Sequence, residues 1–441
     1  MKHARAVDAE CVLTTRRRFL ATLGAGAAVA VGGTWGMSVW SRDPAFAGLT
    51  LPAATYGIDT PNRTLVVIEM GGGNDGLNMV VPYADNRYHD LRGDLAISDP
   101  LPLDDHVGLH PALTNIAMKY SAGDVAIVEG VGYESPDLSH FSSMSTWWSG
   151  QQGSAGRTGW LGRYLDAAVG GDEPLAAVTI GPGPSPALLG ERSFQVAIQD
   201  VSGLSPNVPP WIDDKVELMA MWTGFANPSL DAPDLAALVD VAIAGSAGAA
   251  DTLQSILEGV GAQTDRAPGP TGLGEYLQLA ARLITSSEQP RVIYVHGWGD
   301  FDTHQGQLNR QGAMMEQLDA AIGSFWETLE IAEAADRALI MTTSEFGRRA
   351  ASNGSGTDHG TASCALLLGP AVVGGRHGEP PSLSRLDTRG TLVHTVDYRS
   401  IYTSVLDYWL GADATEVLGA SVERIGLLRP EDPKVASPFV H

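Results

Sequence analysis

The stretch from Thr64 to Asn78, TLVVIEMGGGNDGLN, constrains this chain more than any other. Leu65-Val66-Val67-Ile68 is an unbroken β-branched and apolar run, short enough to predict a strand buried on both faces. Gly71, Gly72 and Gly73 then break it, and Asn74 and Asp75 follow. A buried parallel strand that ends in a glycine turn delivers its next polar residues to the carboxyl edge of a sheet, where open α/β folds bind ligands. Glycine lets the backbone come close to an ion, and Asp75 offers a hard carboxylate ligand.

The remaining pattern extends this fold. Short apolar runs at 124–128, 176–180, 291–296, 338–342 and 364–368 predict further strands. Helical patterns cover 110–120, 139–148, 160–169, 307–335 and 397–410. Strands alternating with helices predict an α/β fold with a doubly wound, mainly parallel sheet. Residues 82–105 read as a long loop, and 201–270, rich in Ala, Asp, Gly and Pro, as a helical insertion.

The first 47 residues stand apart. Thr15-Arg16-Arg17-Arg18-Phe19-Leu20 is a twin-arginine export motif, and Ala45-Phe46-Ala47 offers an A-x-A cleavage site. The expectation is a signal peptide over 1–47, read by the twin-arginine translocase, and a single domain over 48–441 in the periplasm or outside the cell. The chain has 28 basic and 51 acidic residues, net charge −23; the signal segment holds six and three of them, so the remainder carries −26. Such a surface repels nucleic acid and anionic lipid. No later stretch is long and apolar enough to span a bilayer. Cys11 leaves with the signal and Cys364 stays alone, so no internal disulfide forms.

Polar clusters follow the predicted strands: Asn74-Asp75, Asp300-Phe301-Asp302-Thr303-His304, Ser344-Glu345 and, in the loop beyond, Asp358-His359-Gly360. Strand ends of a parallel sheet share one edge, so these carboxylates and histidines form a mixed N/O set suited to zinc, manganese or calcium, one or two ions. Singly, each residue reads as a turn cap or a solvated side chain. Ser139 opens a predicted helix, either as its N-cap alone, with Phe141, Trp147 and Trp148 packing, or as an activated nucleophile. Arg348, beside Arg349, reads as a clamp for an anionic ester or as a solvated loop residue. Gly71-x-Gly73-x-x-Gly76 matches the dinucleotide fingerprint, but Pro82 ends any following helix within two turns and Asp75 would repel a pyrophosphate.

These clusters, taken in order with the twin-arginine start, resemble a bacterial family of exported proteins known only as unknown-function family 1501. The resemblance rests on Gly71–Gly76, Ser139-His140-Phe141, Asp302-Thr303-His304, Ser344-Glu345-Phe346-Gly347-Arg348 and Asp358-His359-Gly360, and leaves 201–270 unmatched. By similarity that family is placed in the alkaline phosphatase and sulfatase superfamily. The resemblance implies an alkaline-phosphatase-like core with divalent metal at its carboxyl edge. Asp75 would then be the first ligand, Asp302 and His304 the middle pair, and Glu345 and His359 the later ligands, with Ser139 near the nucleophile. Where the superfamily often has Asp-His after the later strand, this chain has Glu345-Phe346. Asp300 and His304 fit its common Asp-x-x-x-His spacing, while Asp302 is the family's matching residue. The implied function is metal-dependent hydrolysis of phosphate or sulfate esters, small or polymeric. The alternatives are a non-catalytic exported protein that binds a surface polymer through exposed tryptophans, and a dinucleotide-dependent oxidoreductase.

Overall fold

In the computed structural model the run 64–70 is the central strand of the main sheet, and all seven of its residues are buried. The structure describes residues 62–152, 158–169, 173, 175–191, 193, 195–198, 256 and 272–429, with the backbone of two short strands, Ala28–Val29 and Met37–Trp40. Apart from those strand positions and Ile256, the expected signal segment and the expected 201–270 insertion lie outside the described residues.

In chain order the elements used below are β1 (Thr64–Met70), α1 (Gly76–Met79), α2 (Asn86–Arg92), α3 (Thr114–Ala122), β2 (Val125–Gly132), α4 (His140–Ser149), α5 (Trp160–Ala168), β3 (Ala177–Ile180) and β4 (Gln195–Ile198). They continue with α6 (Leu273–Thr285), β5 (Val292–Trp298), α7 (Gln307–Ile331), β6 (Ala338–Thr343), β7 (Gly347–Arg348), β8 (His359–Gly360), β9 (Ser363–Leu368), β10 (Gly375–His377), β11 (Val396–Asp397), α8 (Tyr398–Val405) and α9 (Ala414–Leu418).

The sheet runs β4-β3-β5-β1-β6-β9-β2-β10, with β11 beside β2 and Met37–Trp40 antiparallel to β4. β4, β3, β5, β1 and β6 are mutually parallel. β9 runs antiparallel to both β6 and β2. An apolar run carries no mark of direction, so this reversal was not readable in advance, and it matters: β9 enters the sheet at the edge where β6 leaves it.

Strand alternation sorts β1 between two cores. Val66, Ile68 and Met70 face a layer built from α3, α6 and α7; Leu65 and Val67 face α4, α5, α8 and α9. Each fully buried aliphatic side chain contributes roughly 1.5–3 kcal/mol relative to exposure, so a two-sided apolar strand is the natural centre of a doubly wound sheet. One expectation is corrected within 82–105. Asp85 accepts a hydrogen bond from the Arg87 amide and caps α2, a helix inside the expected loop. No helix among the described residues is long and apolar enough to cross a membrane.

His110 lies buried beneath α7, and its Nδ1 accepts from the Ala112 amide. Burial holds its pKa below the ordinary value, at about 4. The folded state therefore resists the proton that the unfolded chain takes up near 6.5, and stability falls as pH drops from 6.5 towards 4. We expect the parent to lose about 3 kcal/mol over that window relative to His110→Gln, read from urea unfolding at several pH values. Parallel curves for the two proteins would refute this.

Candidate metal centre

The ends of β1, β5 and β6 and the start of β9 meet at one edge. The glycine turn after β1 makes the meeting close. Gly72 has φ +111°, and a Cβ there would strike the backbone of Phe301 and Asp302. Glycine at this position lets the turn press against the segment that carries Asp302. The Ser344 hydroxyl accepts from the Asn74 amide (2.8 Å) and donates to the Met70 carbonyl (3.0 Å), tying the end of β6 to the same turn.

Arg348 locks the assembly. Its side chain is 0% exposed. It donates to the carbonyls of Gly73 (2.8 Å), Thr357 (3.1 Å), Phe301 (2.8 Å) and Gly72, and to Asp302 Oδ1 (2.8 Å). The expected anion clamp is thereby corrected: a guanidinium committed to four carbonyls and a carboxylate holds three loops together and has little left for a substrate. Asp302 answers to it. Burial pushes its carboxyl up, but the Arg348 and His359 hydrogen bonds and the Arg348 and His304 charges outweigh burial and bring it down to about 2.

Three imidazoles surround Asp302. His359 Nε2 lies 3.0 Å and His304 Nε2 3.1 Å from Oδ1, with 3.0 Å between the two nitrogens; His140 Nε2 lies 3.8 Å from Oδ2. Each ring is held from behind at Nδ1: His140 by Glu345 Oε1 (2.8 Å), His304 by Asp358 Oδ1 (3.3 Å) and His359 by the Leu138 carbonyl (3.0 Å). Carboxylates and carbonyls only accept, so Nδ1–H donates behind each ring and Nε2 faces inward. At His359 and His304 that inward nitrogen lies within hydrogen-bond reach of Asp302 Oδ1, so a proton or a metal cation can join them there. One ligand atom each from His140, Asp302 and His359 lies within 4.8 Å of the others. Nitrogens with one carboxylate, backed by acceptors on the far ring nitrogen, are a donor set that zinc takes.

The anchor on His359 is itself strained. Leu138 has φ +60° and Ser135 φ +50°, where non-glycine residues rarely sit. This turn aims the Leu138 carbonyl at the ring.

The structure thus brings Asp302, His304 and His359 together and places the other expected ligands differently. Asp75 is buried, caps α1 through the Leu77 amide (3.1 Å), and pairs with Arg92 (2.8 Å to Nη2) and Gln307. Both its oxygens are occupied, so it braces the glycine turn. Glu345 is buried and accepts from the Gly72 amide (2.8 Å) as well as from His140; the hydrogen bond and charge of Glu345 raise the His140 pKa against burial. Asp358, lowered by its Asn353 hydrogen bond against burial, stands behind His304. Asp300 points away and pairs with Arg310.

Ser139 is the exposed N-cap residue of α4, and its hydroxyl makes no capping bond; Asp137 takes the Ser139 amide and the Ser142 hydroxyl instead. Trp147 is buried, Trp148 half-buried, and Phe141 90% exposed rather than packed. Sequence reasoning missed His140 as a ring of the centre. It stood in the Ser139-His140-Phe141 motif, where attention fell on the hydroxyl. The dinucleotide reading loses its footing too: α1 is four residues long, and Arg348 occupies carbonyls of the glycine turn.

A doubly wound α/β protein with a histidine–aspartate centre at the carboxyl edge of its sheet is what these features define. The sequence matches the family described as "Protein of unknown function (DUF1501)" over residues 62–417, and the chain belongs to it. No curated protein matches. Among solved structures the chain is similar to Ps i-CgsB in complex with k-i-k-neocarrahexaose (12% identity, 81% of this chain and 72% of that one, TM-score 0.37). It is also similar to a protein in the alkaline phosphatase superfamily from Vibrio parahaemolyticus (10%, 94% and 78%, 0.37). A third is the phosphonate monoester hydrolase SpPMH from Silicibacter pomeroyi (10%, 82% and 77%, 0.35).

Two substitutions test these assignments. Arg348→Met should cost about 3–5 kcal/mol in urea unfolding, because it strands a carboxylate and frees four carbonyls. Asp75→Asn should lower stability yet leave the metal taken up by the folded protein from added zinc, manganese or calcium equal to the parent's by elemental mass spectrometry. Uptake by the parent that folded Asp75→Asn lacks would return Asp75 to the ligand set.

Proposed function

We propose that this protein is an exported, metal-dependent hydrolase of phosphate or sulfate esters. The observation that carries the reading is the inward convergence of three imidazole Nε2 atoms on Asp302, each ring anchored at Nδ1. The ester class follows from the motif resemblance to the alkaline phosphatase and sulfatase superfamily, and export from the twin-arginine start.

His140, Asp302 and His359 would hold the metal, with His304 beside them. When bound, a divalent ion polarises the ester and lowers the cost of the negative charge that develops on its oxygens. The protein's own residues do the rest. Glu345, Asp358 and the Leu138 carbonyl keep three ring nitrogens free for coordination, and Arg348 keeps Asp302 ionised and in place. Ser139, uncapped and exposed one residue before His140, supplies the attacking hydroxyl; where it does not, water attacks. Arg349 takes the role first given to Arg348: its side chain is half-exposed beside Asp358. The polymer-binding alternative called for exposed tryptophans; Trp147, Trp160, Trp298, Trp326 and Trp409 are buried and Trp148 is half-buried.

The test is elemental analysis of residues 48–441 beside a His140→Ala/His359→Ala double variant, followed by a panel of phosphate and sulfate esters. Near-stoichiometric metal in the parent, lost in the folded variant together with turnover, is the expected result. A folded parent that takes up no zinc, manganese or calcium would overturn the reading. On any ester that is turned over, Ser139→Ala should lower kcat by about a thousandfold or more if its hydroxyl attacks. A loss below tenfold would assign the attack to water.

A further inference from the structure

A second histidine–carboxylate pair lies at the same sheet edge, outside the centre. Glu69, the penultimate residue of β1, points into the layer of α4 and is buried. Its Oε1 accepts from His296 Nδ1 (2.8 Å), and its Oε2 accepts from the Tyr294 hydroxyl (2.9 Å) and the Trp148 indole N–H (2.7 Å). A carboxylate satisfied by three donors costs little to bury. It fixes the His296 tautomer and leaves Nε2 with no hydrogen-bond partner among the described residues, on a side chain 21% exposed. The Trp148 ring stands 6.1 Å from the imidazole, edge to face, pinned through its own N–H and half open to solvent.

The location is telling. β3 and β5 are parallel neighbours, and His296 follows their last register pair, Val295 with Ile180. The chain leaving β3 passes through Ala187 and Leu188 into the α4 and α5 layer, whereas the chain leaving β5 enters α7 on the opposite face. Connections that part in this way mark the general ligand position of open α/β sheets. The two exits stay in contact just past that pair, where a Cβ on Gly181 would strike the His296 carbonyl and one on Gly297 the Pro182 ring, so the crevice lies outside them, where the His296 and Trp148 side chains meet solvent.

The crevice is coupled to the centre through one helix. Trp147 donates its indole N–H to the Glu345 carbonyl (2.9 Å), and Trp148 donates to Glu69. Consecutive tryptophans of α4 therefore reach the two glutamates that orient His140 and His296. Eight residues of helix separate His140 from Trp148, about 12 Å of rise, so a ligand touching both places is longer than the ester group alone.

We propose that the crevice beside His296 is the subsite for the alcohol portion of the ester, and that this portion is a hydroxyl-rich group such as a sugar or polyol. The inference rests on the hydrolase reading above. His296 Nε2 exchanges a hydrogen bond with a substrate hydroxyl, and the open part of the Trp148 ring lies against the carbon skeleton. A preset imidazole and a preset indole lose little freedom on binding, which favours specificity for a ligand that offers both a hydroxyl and an apolar face.

Two measurements separate this inference from the one it rests on. The first is histidine-selective nitrogen NMR of the folded protein, with the His296 resonance assigned by its loss in His296→Gln, during titration with glucose 6-phosphate, glucose 6-sulfate and p-nitrophenyl phosphate. A shift at His296 with the sugar esters and not with the aryl ester is expected. No shift, or the same shift with all three, overturns the subsite whether or not any ester is hydrolysed. The second is turnover of sugar and aryl esters. The kcat/KM preference for the sugar ester should fall about tenfold in His296→Gln through KM, and fall similarly in Trp148→Leu, a second variant should the first fail to fold. An unchanged preference in both variants overturns the subsite. Absence of turnover in the parent counts against the hydrolase reading and leaves the NMR result to decide the crevice.

Discussion

The site depends on one buried guanidinium. Arg348 sits where three loops from distant parts of the chain come together, and it satisfies backbone carbonyls from each: Gly72 and Gly73 after β1, Phe301 after β5, and Thr357 ahead of β8. Without it these carbonyls would crowd one another in a volume closed to water, each carrying the cost of an unpaired buried acceptor. The same side chain holds Asp302 as a carboxylate. Construction of the loops and charge state of the centre are therefore one interaction. Asp75 with Arg92 repeats the device one layer deeper, under the first turn of α1.

A second theme is control of imidazole orientation from behind. Glu345, Asp358 and Glu69 each hold a histidine Nδ1, and a strained carbonyl at Leu138 does so for His359. The anchors differ in kind, and so do their consequences. Glu345 and Glu69 are buried and rigid, each contacted by a tryptophan of α4, whereas Asp358 is half-exposed on a loop. His140 and His296 are thus the firmly fixed rings, and His304 is the one whose position follows the loop around it.

Much of this was legible in the sequence, for identifiable reasons. Two-sided apolar strands such as 64–70 and 338–343 announce themselves by composition, and polar residues just after such strands must lie at one edge, which is why Asp302 and His304 stood out. His359 stood out with them, although it precedes β9 and reaches the edge because that strand is reversed. What could not be read was partnership. Asp75 and Arg348 look like site residues because they are charged and follow glycine or strand signals; Arg92, Gln307 and the carbonyls that engage them lie from 9 to more than 200 residues away. Glu345 looked like a ligand for the same reason, and its role as the anchor of His140 needs a contact across 205 residues. His140 escaped notice because it sits in the first turn of a helix, not after a strand. Phe141, 90% exposed, could not be told from a packing residue by its type alone.

The pairing of β7 with β8 sets Gly347 opposite Gly360 and Arg348 opposite His359. A two-rung clasp thus closes the base of a loop whose stem holds the guanidinium on one side and a ring of the centre on the other. Beyond the stem, Asn353, Gly354 and Ser355 are exposed, and a side chain added at Gly354 would meet nothing. The clasp divides the centre: Arg348 and His359 sit on its rungs, while Asn353 at the tip bonds Asp358 and the His304 carbonyl. A change at the tip is therefore passed to His304 alone, and the clasp keeps the other two as they are.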